Sequence, residues 1–518
     1  MTPRRTFLAR IGQGMLAAGL GHTTAAQLGL AATPTEPPPQ RLRFPGHDRL
    51  VDLLQETPVE KFLPAVVAEL RQGTSLQQLI TSAALANARA FGGEDYVGFH
   101  TFMALMPALR MSRQLPAEMQ ALPVLKVLYR QAARLEESDH HHNDTLKPVA
   151  GNTAAAASTT LDQALTASVH QQDRAAADQL LTSAAHQSPD TAWNSLLPTV
   201  FEAPEVHRIV LAHRAWDMLD LAGHSHADAM LRQSLHYCIQ VEPNRQKGSH
   251  NVSEPLAAMI EDSFAGISSS AQPQAIDAQW VQQFSELLLK TPPLQAAAAA
   301  TAALAEGINP AAISQAVSAA ACQLVLRDAG RPPEWAQPNK PAGSVHGDSI
   351  GVHASDTAHA WRQIAAVSSP RNARAAVILS AWCVARDAAI RPASEWTPRP
   401  LEQSLQQISA TDPQQLLKTL DSAIRQQQQD LACAAASRCL NAGVSADTLF
   451  QQLLPFACSE DGALHAEKYF WTTRDEFSSL PASLRNNQLI ALARVSASQF
   501  GTPAPGLQQA RELLSIPT

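Results

Sequence analysis

Along this chain, apolar residues recur three to four positions apart, and the runs are broken by a glycine and then a polar residue. The pattern is plain in Leu70-Arg-Gln-Gly73-Thr-Ser75-Leu76-Gln-Gln-Leu79-Ile80. It returns in Leu304-Ala-Glu-Gly307-Ile-Asn309-Pro-Ala-Ala-Ile313 and in Leu440-Asn-Ala-Gly443-Val-Ser445-Ala-Asp-Thr-Leu449. Glycine suits the left-handed turn that closes a helix, and Ser or Asn suits the cap that opens the next one. Each stretch therefore predicts a helix, a tight turn and a second amphipathic helix. Ala, Leu and Gln recur throughout while β-branched and aromatic residues are sparse, which also favours helix over sheet.

Two long segments match in register. Residues 172–207 align with 429–465, and three anchors share an offset of 257: Asp173 with Asp430, Asp190 with Asp447, and Pro198 with Pro455. The second copy reaches its histidine one residue later, so His207 corresponds to His465. Relaxing loop lengths extends the pattern to four places where a hydrophobic residue precedes a histidine that opens a new helical stretch. These are Phe99-His100, Val206-His207, Val352-His353 and Leu464-His465. The third interval is long because a Pro-rich loop, 331–345, is inserted. The expectation is an all-α chain: an array of four divergent helix–turn–helix repeat units, near 59–140, 160–260, 280–370 and 400–480, closing around a central His-lined pocket.

A histidine at a helix start faces the positive end of the helix dipole, which disfavours the imidazolium form. Neutral imidazole is the form that ligates metal or accepts a hydrogen bond. His100, His207, His353 and His465 are therefore the candidate catalytic and metal-ligating residues. Imidazole-rich ligation suits Fe, Cu, Zn or Ni rather than Ca or Mg. Acids precede each one: Asp95, Glu205, Asp348 and Asp461. They are expected mainly to cap helices, with orientation of the imidazoles as the alternative. A second tier, His213 with Trp216 and His359 with Trp361, is the candidate cofactor-binding wall or core. Six residues after the first histidine is about 600° of helix, so the tiers should not share a face. The run His140-His141-His142 and the His224/His226 pair read as solvated, and His236 reads as core. His250 and Glu254 are candidates for a cavity mouth.

Composition narrows the possible functions. The 518 residues are 45% hydrophobic, 16% charged and 5% aromatic, with 18 His beside 8 Trp and 4 Tyr. The apolar share supports a sizeable core. A net charge of -7 gives no basic footprint for nucleic acid. The opening Met1-Thr-Pro-Arg4-Arg5-Thr-Phe7-Leu8 and the weakly apolar run that follows read as a twin-arginine signal over 1–31, with a Pro-rich linker over 32–58 and the helical domain over 59–518. This makes the twin-arginine export machinery a partner and the location periplasmic or otherwise extracytoplasmic. No stretch reaches the ~20 apolar residues of a membrane span. The six cysteines form no Cys-x-x-Cys pair and read as buried thiols. There is no Gly-x-Gly-x-x-Gly, no Walker loop, no His-Glu-x-x-His and no Gly-x-Ser-x-Gly.

Three segments carry a resemblance: Tyr96-Val-Gly-Phe-His100, Val206-His207 with Ala212-His213-Arg-Ala-Trp216, and Gly351-Val-His353 with Thr357-Ala-His359. Across roughly 60 to 480 the chain resembles a group of exported, uncharacterised helical bacterial proteins, and more remotely the questin oxidase-like proteins. That resemblance implies an oxygen-using oxidoreductase with the four first-tier histidines at its centre. The missing dinucleotide fingerprint puts nicotinamide in doubt. The expected function is an exported oxidoreductase or metalloprotein, with Fe or another imidazole-preferring metal, acting on a small apolar or aromatic molecule. The alternatives are a non-catalytic helical-repeat scaffold for a protein or peptide, and a small-molecule binder without turnover.

Overall fold

The structure is a computed structural model. It describes residues 41–149, 160–248, 250–264, 277–390 and 397–516. The expected signal, 1–31, and the linker up to residue 40 lie outside them. Among the described residues there is no strand, only isolated bridges, and the chain is all-α. No helix among them is long and apolar enough to cross a membrane.

The helices run α1 Asp48–Glu56, α2 Val59–Arg71, α3 Leu76–Phe91, α4 Tyr96–Ser112 and α5 Ala121–Glu137. Then come α6 Leu161–His170, α7 Arg174–Gln187, α8 Pro189–Phe201, α9 Val206–Asp217, α10 Leu219–Ala222, α11 Ala227–Gln246 and α12 Glu254–Phe264. Next are α13 Ala278–Lys290, α14 Pro293–Ala305, α15 Pro310–Arg327, α16 Ile350–Val367 and α17 Pro370–Ile390. The last are α18 Glu402–Gln406, α19 Pro413–Arg425, α20 Gln429–Asn441, α21 Ala446–Ser459, α22 His465–Ser479, α23 Ala482–Gln499 and α24 Leu507–Leu513. The helical body starts before the expected residue 59. In α1, Leu50, Val51 and Leu54 are buried, so 48–56 is packed helix rather than linker.

The punctuation falls where the pattern places it. Gly73, Gly307 and Gly443 all have positive φ at helix ends, a region a Cβ would strain. Ser75 caps α3 in a full capping box with Gln78, Asn309 caps α15, and Ser445 caps α21. Ser188 and Ser445, 257 residues apart, accept from the backbone N–H of Thr191 and Thr448 at 3.3 and 3.1 Å. All six cysteines are buried and free.

Four helices form the centre. α4 packs on α9 and α22, and α16 packs on the same two, so the four close a cycle. Each is covered from outside by its chain neighbours: α4 by α3 and α5, α9 by α11, α16 by α15 and α17, and α22 by α23 and α21. Burial on nearly every side of α4 and α16 follows from that position. Cross-contacts show that all four run in one sense. Their histidine-bearing starts meet at one end. Near the other end Arg110 of α4 meets Asp217 of α9, and Arg362 of α16 meets Asp475 of α22.

Candidate functional site

Each central helix delivers its histidine within the first five residues. Asp95 caps α4 through the Gly98 N–H at 2.7 Å, Glu205 caps α9 through the N–H groups of His207 and Arg208, and Ser349 caps α16. The chain enters α22 through left-handed Ala463 and Leu464 (φ 49° and 64°), which turn His465 inward. The four imidazoles then form a ring of neighbours. Centroids are 5.0 Å apart for His100–His207, 5.9 Å for His207–His353, 5.3 Å for His353–His465 and 5.4 Å for His465–His100. The shortest nitrogen approach is His353 Nε2 to His465 Nε2, 3.3 Å.

Their hydrogen bonds fix which nitrogen is free. A carbonyl or carboxylate oxygen only accepts, so the nitrogen facing it carries the proton. His100 Nδ1 donates to Tyr96 O at 2.8 Å, and His465 Nδ1 donates to Ala463 O at 3.0 Å. His207 Nδ1 lies 3.2 Å from the Glu205 carboxylate. That leaves Nε2 as the lone-pair nitrogen in all three. Nε2 of His100 and of His207 is buried and has no hydrogen-bond partner. Burial drives His100 and His465 well below the ordinary imidazole pKa, with positive Lys468 pushing the same way, and burial takes His353 to about 3. These three rings are neutral at pH 7. Burial raises Glu205, but the hydrogen bonds from His207 and Tyr237 outweigh it and hold the carboxyl at about 2.

Aromatic rings frame the cluster. Tyr96, 57% exposed, lies 4.4 Å from the His100 ring and 5.5 Å from that of His207. Phe99 packs against the same two imidazoles and against Tyr237. The cluster therefore reaches solvent beneath a tyrosine. One helical turn inward lie Asp356 and Lys468, three residues after His353 and His465 and both buried. Burial lowers Lys468 to about 8 and raises Asp356, while each one's charge draws the other back.

Of the four preceding acids, only Glu205 touches its histidine. Asp95 is held by Arg134, Asp348 by Arg331 and Lys340, and Asp461 faces Arg130 at 3.6 Å. His213 and His359 also meet, 5.4 Å centroid to centroid. The tiers were expected on different faces of their helices, yet His207 and His213 of α9 both contact α16, at His353 and His359. Asp217, four residues after His213, takes Arg110 at 2.5 and 2.9 Å. Trp216 stacks on Trp193 at 5.0 Å and Trp361 packs on Phe201 at 5.2 Å. Both indoles are thus engaged with neighbouring aromatic side chains. His140 and His141 are half-buried, against Phe91 and the Gln55 carbonyl, rather than solvated. His236 is core and paired with Asp178 at 2.7 Å.

Among the described residues, His359, Asp475 and Glu476 form the set whose ligand atoms lie within 4.8 Å of one another. Arg362 bonds both carboxylates, and His359 Nδ1 donates to Glu476 at 2.8 Å. Both carboxylates are thus engaged in an ion-pair and hydrogen-bond network with Arg362 and His359. The four-histidine ring is wider than that set. The sequence reading missed Tyr96, Tyr237, Asp356 and Lys468 as members of the site. The spacing of three from His353 and His465 was the available signal for Asp356 and Lys468.

No family model, no curated protein and no solved structure matches this chain.

Proposed function

We propose that the chain is an exported, four-unit helical protein whose four first-tier imidazoles hold a transition metal ion, Fe among the candidates. In this reading the metal serves oxidoreductase chemistry on a small apolar or aromatic molecule admitted beside Tyr96. The observation that carries the proposal is the fixed tautomer. His100, His207 and His465 each have Nδ1 tied to an oxygen outside the ring, and the Nε2 lone pairs of His100 and His207 are buried without a partner. An orphaned buried acceptor costs about 1–3 kcal/mol, and metal ligation removes that cost. The 3.3 Å between His353 and His465 Nε2 equals the edge of a tetrahedron of ~2.0 Å metal–nitrogen bonds. The four helix starts oppose a cation by ~0.3–1 kcal/mol each, against ~10–16 kcal/mol for tight protein–metal binding.

Helix order supports four units. In α1–α5, in α6–α9 with α11, in α13–α17 and in α19–α23, the histidine sits on the fourth helix of five. The test is elemental analysis of protein purified after native export, beside a His100→Ala/His353→Ala variant. Near-stoichiometric metal in the first and its loss in the second supports the reading; no metal in either refutes it.

One observation favours a second reading. A separation of 3.3 Å also suits an N–H···N bond, and in this second reading the ring, too wide for immediate ligation, serves as a polar lock between units. The chain would then be a non-catalytic scaffold, and the double variant would lose stability without any change in metal content.

A further inference from the structure

Close to His207 in sequence, Glu205 and Arg208 line a cavity of about 190 Å³ together with Tyr237, Val241, Asn244 and His250. Arg208 is wholly buried. Its Nη2 donates to Thr199 O at 2.6 Å and the guanidinium lies within hydrogen-bond reach of the Cys238 thiol, while no carboxylate pairs with its Nε or Nη1. An unpaired buried guanidinium is costly, and the usual remedy is a nearby carboxylate. Here every neighbouring carboxylate is engaged elsewhere. Glu205 accepts from two backbone N–H groups and from Tyr237 Oη at 2.8 Å, and it faces His207. Glu242 is held by Arg245 at 2.6 and 2.7 Å, and Glu202 by His170 at 2.8 Å. The Cys238 thiol is no counter-ion either, because burial pushes it up more strongly than Arg208 pulls it down.

We propose that this cavity is a binding site for a small monocarboxylate whose charge Arg208 neutralises. Tyr237 and Val241 supply an aromatic and an apolar wall for its body. A cavity of ~150 Å³ already accepts benzene, so a benzoate-sized ligand fits. Glu205 lines the cavity and also holds His207 Nδ1, so an anion here bears on the ring through one side chain. The site does not depend on a metal at the ring.

The experiment is calorimetric titration of the full chain, with and without chelator, using benzoate, its neutral isostere benzamide, and inorganic phosphate. Benzoate binding in both metal states, with benzamide and phosphate silent, is the expected result. Arg208→Met keeps the length and removes the charge, and weakens benzoate by about 10- to 100-fold. Val241→Phe fills the cavity and leaves Arg208 untouched, so it gives the same loss should Arg208→Met not fold. Failure of benzoate to bind overturns the proposal, as do phosphate bound in its place, benzamide bound equally well, or full affinity in Val241→Phe. None of these results bears on metal content, so this site and the ring stand or fall separately.

Discussion

The two ends of the central four-helix cycle are both polar and both largely buried, but they are polar in opposite ways. At the far end each charge has its partner: Arg110 with Asp217, Arg362 with Asp475 and Glu476, His359 with Glu476. At the helix starts four mostly neutral imidazoles crowd together, and two of their nitrogens have no partner. An ion-pair network holds the helices in register at the far end, where Nε2 of His213 and of His359 is also buried without a partner. The ends therefore differ in their ion pairs and in the number of imidazoles brought together rather than in unpartnered nitrogens, which both ends hold. The proposed reading makes the four-imidazole end the functional one and the ion-paired end the structural one.

Four measurements test that contrast, from the largest expected effect to the smallest. Replacing His100 and His465 with Ala should lower metal content at least about tenfold, while Glu476→Ala should leave it unchanged; elemental analysis of both decides. Acid should weaken the ring end. Because folding lowers the pKa of His100, His353 and His465, the unfolded chain binds more protons below its own pKa of about 6.5. Stability is therefore complete above about pH 6.5 and lost as pH falls below it, by about 1.4 kcal/mol per pH unit per imidazole, down towards the His353 value of about 3. Denaturant titrations of metal-depleted protein between pH 7 and 5 read this slope, and a flat profile breaks the assignment of neutral rings. Glu476→Ala leaves Arg362 and His359 with Asp475 alone and should cost about 1–3 kcal/mol, read as a lower unfolding midpoint. Ser445→Ala removes one helix cap outside the ring and should cost only about 1 kcal/mol, with metal content untouched.

The helices and their breaks are legible in the sequence because caps and glycine turns are local chemistry, as at Gly73 with Ser75 and Gly443 with Ser445. The four histidines stand out because each follows the same punctuation. What joins them is not local. Nothing near His100 names His465 as its neighbour, since that contact depends on how four separate helix groups close. Helical rotation alone separates His207 from His213, yet both meet α16, because one helix borders two others in a closed cycle. Arg208 is invisible for a related reason. A charge next to His207 reads as a solvated helix residue, and only packing shows that every nearby carboxylate is already taken.

The ring joins its first and last members directly, with the His100 and His465 centroids 5.4 Å apart, within the range of the other adjacent pairs. The ring consequently needs residues more than 360 positions apart in one folded body, and a cut that frees α22 opens the circle however well the rest holds. Loss of either the first or the last of these helices would therefore break the same circle.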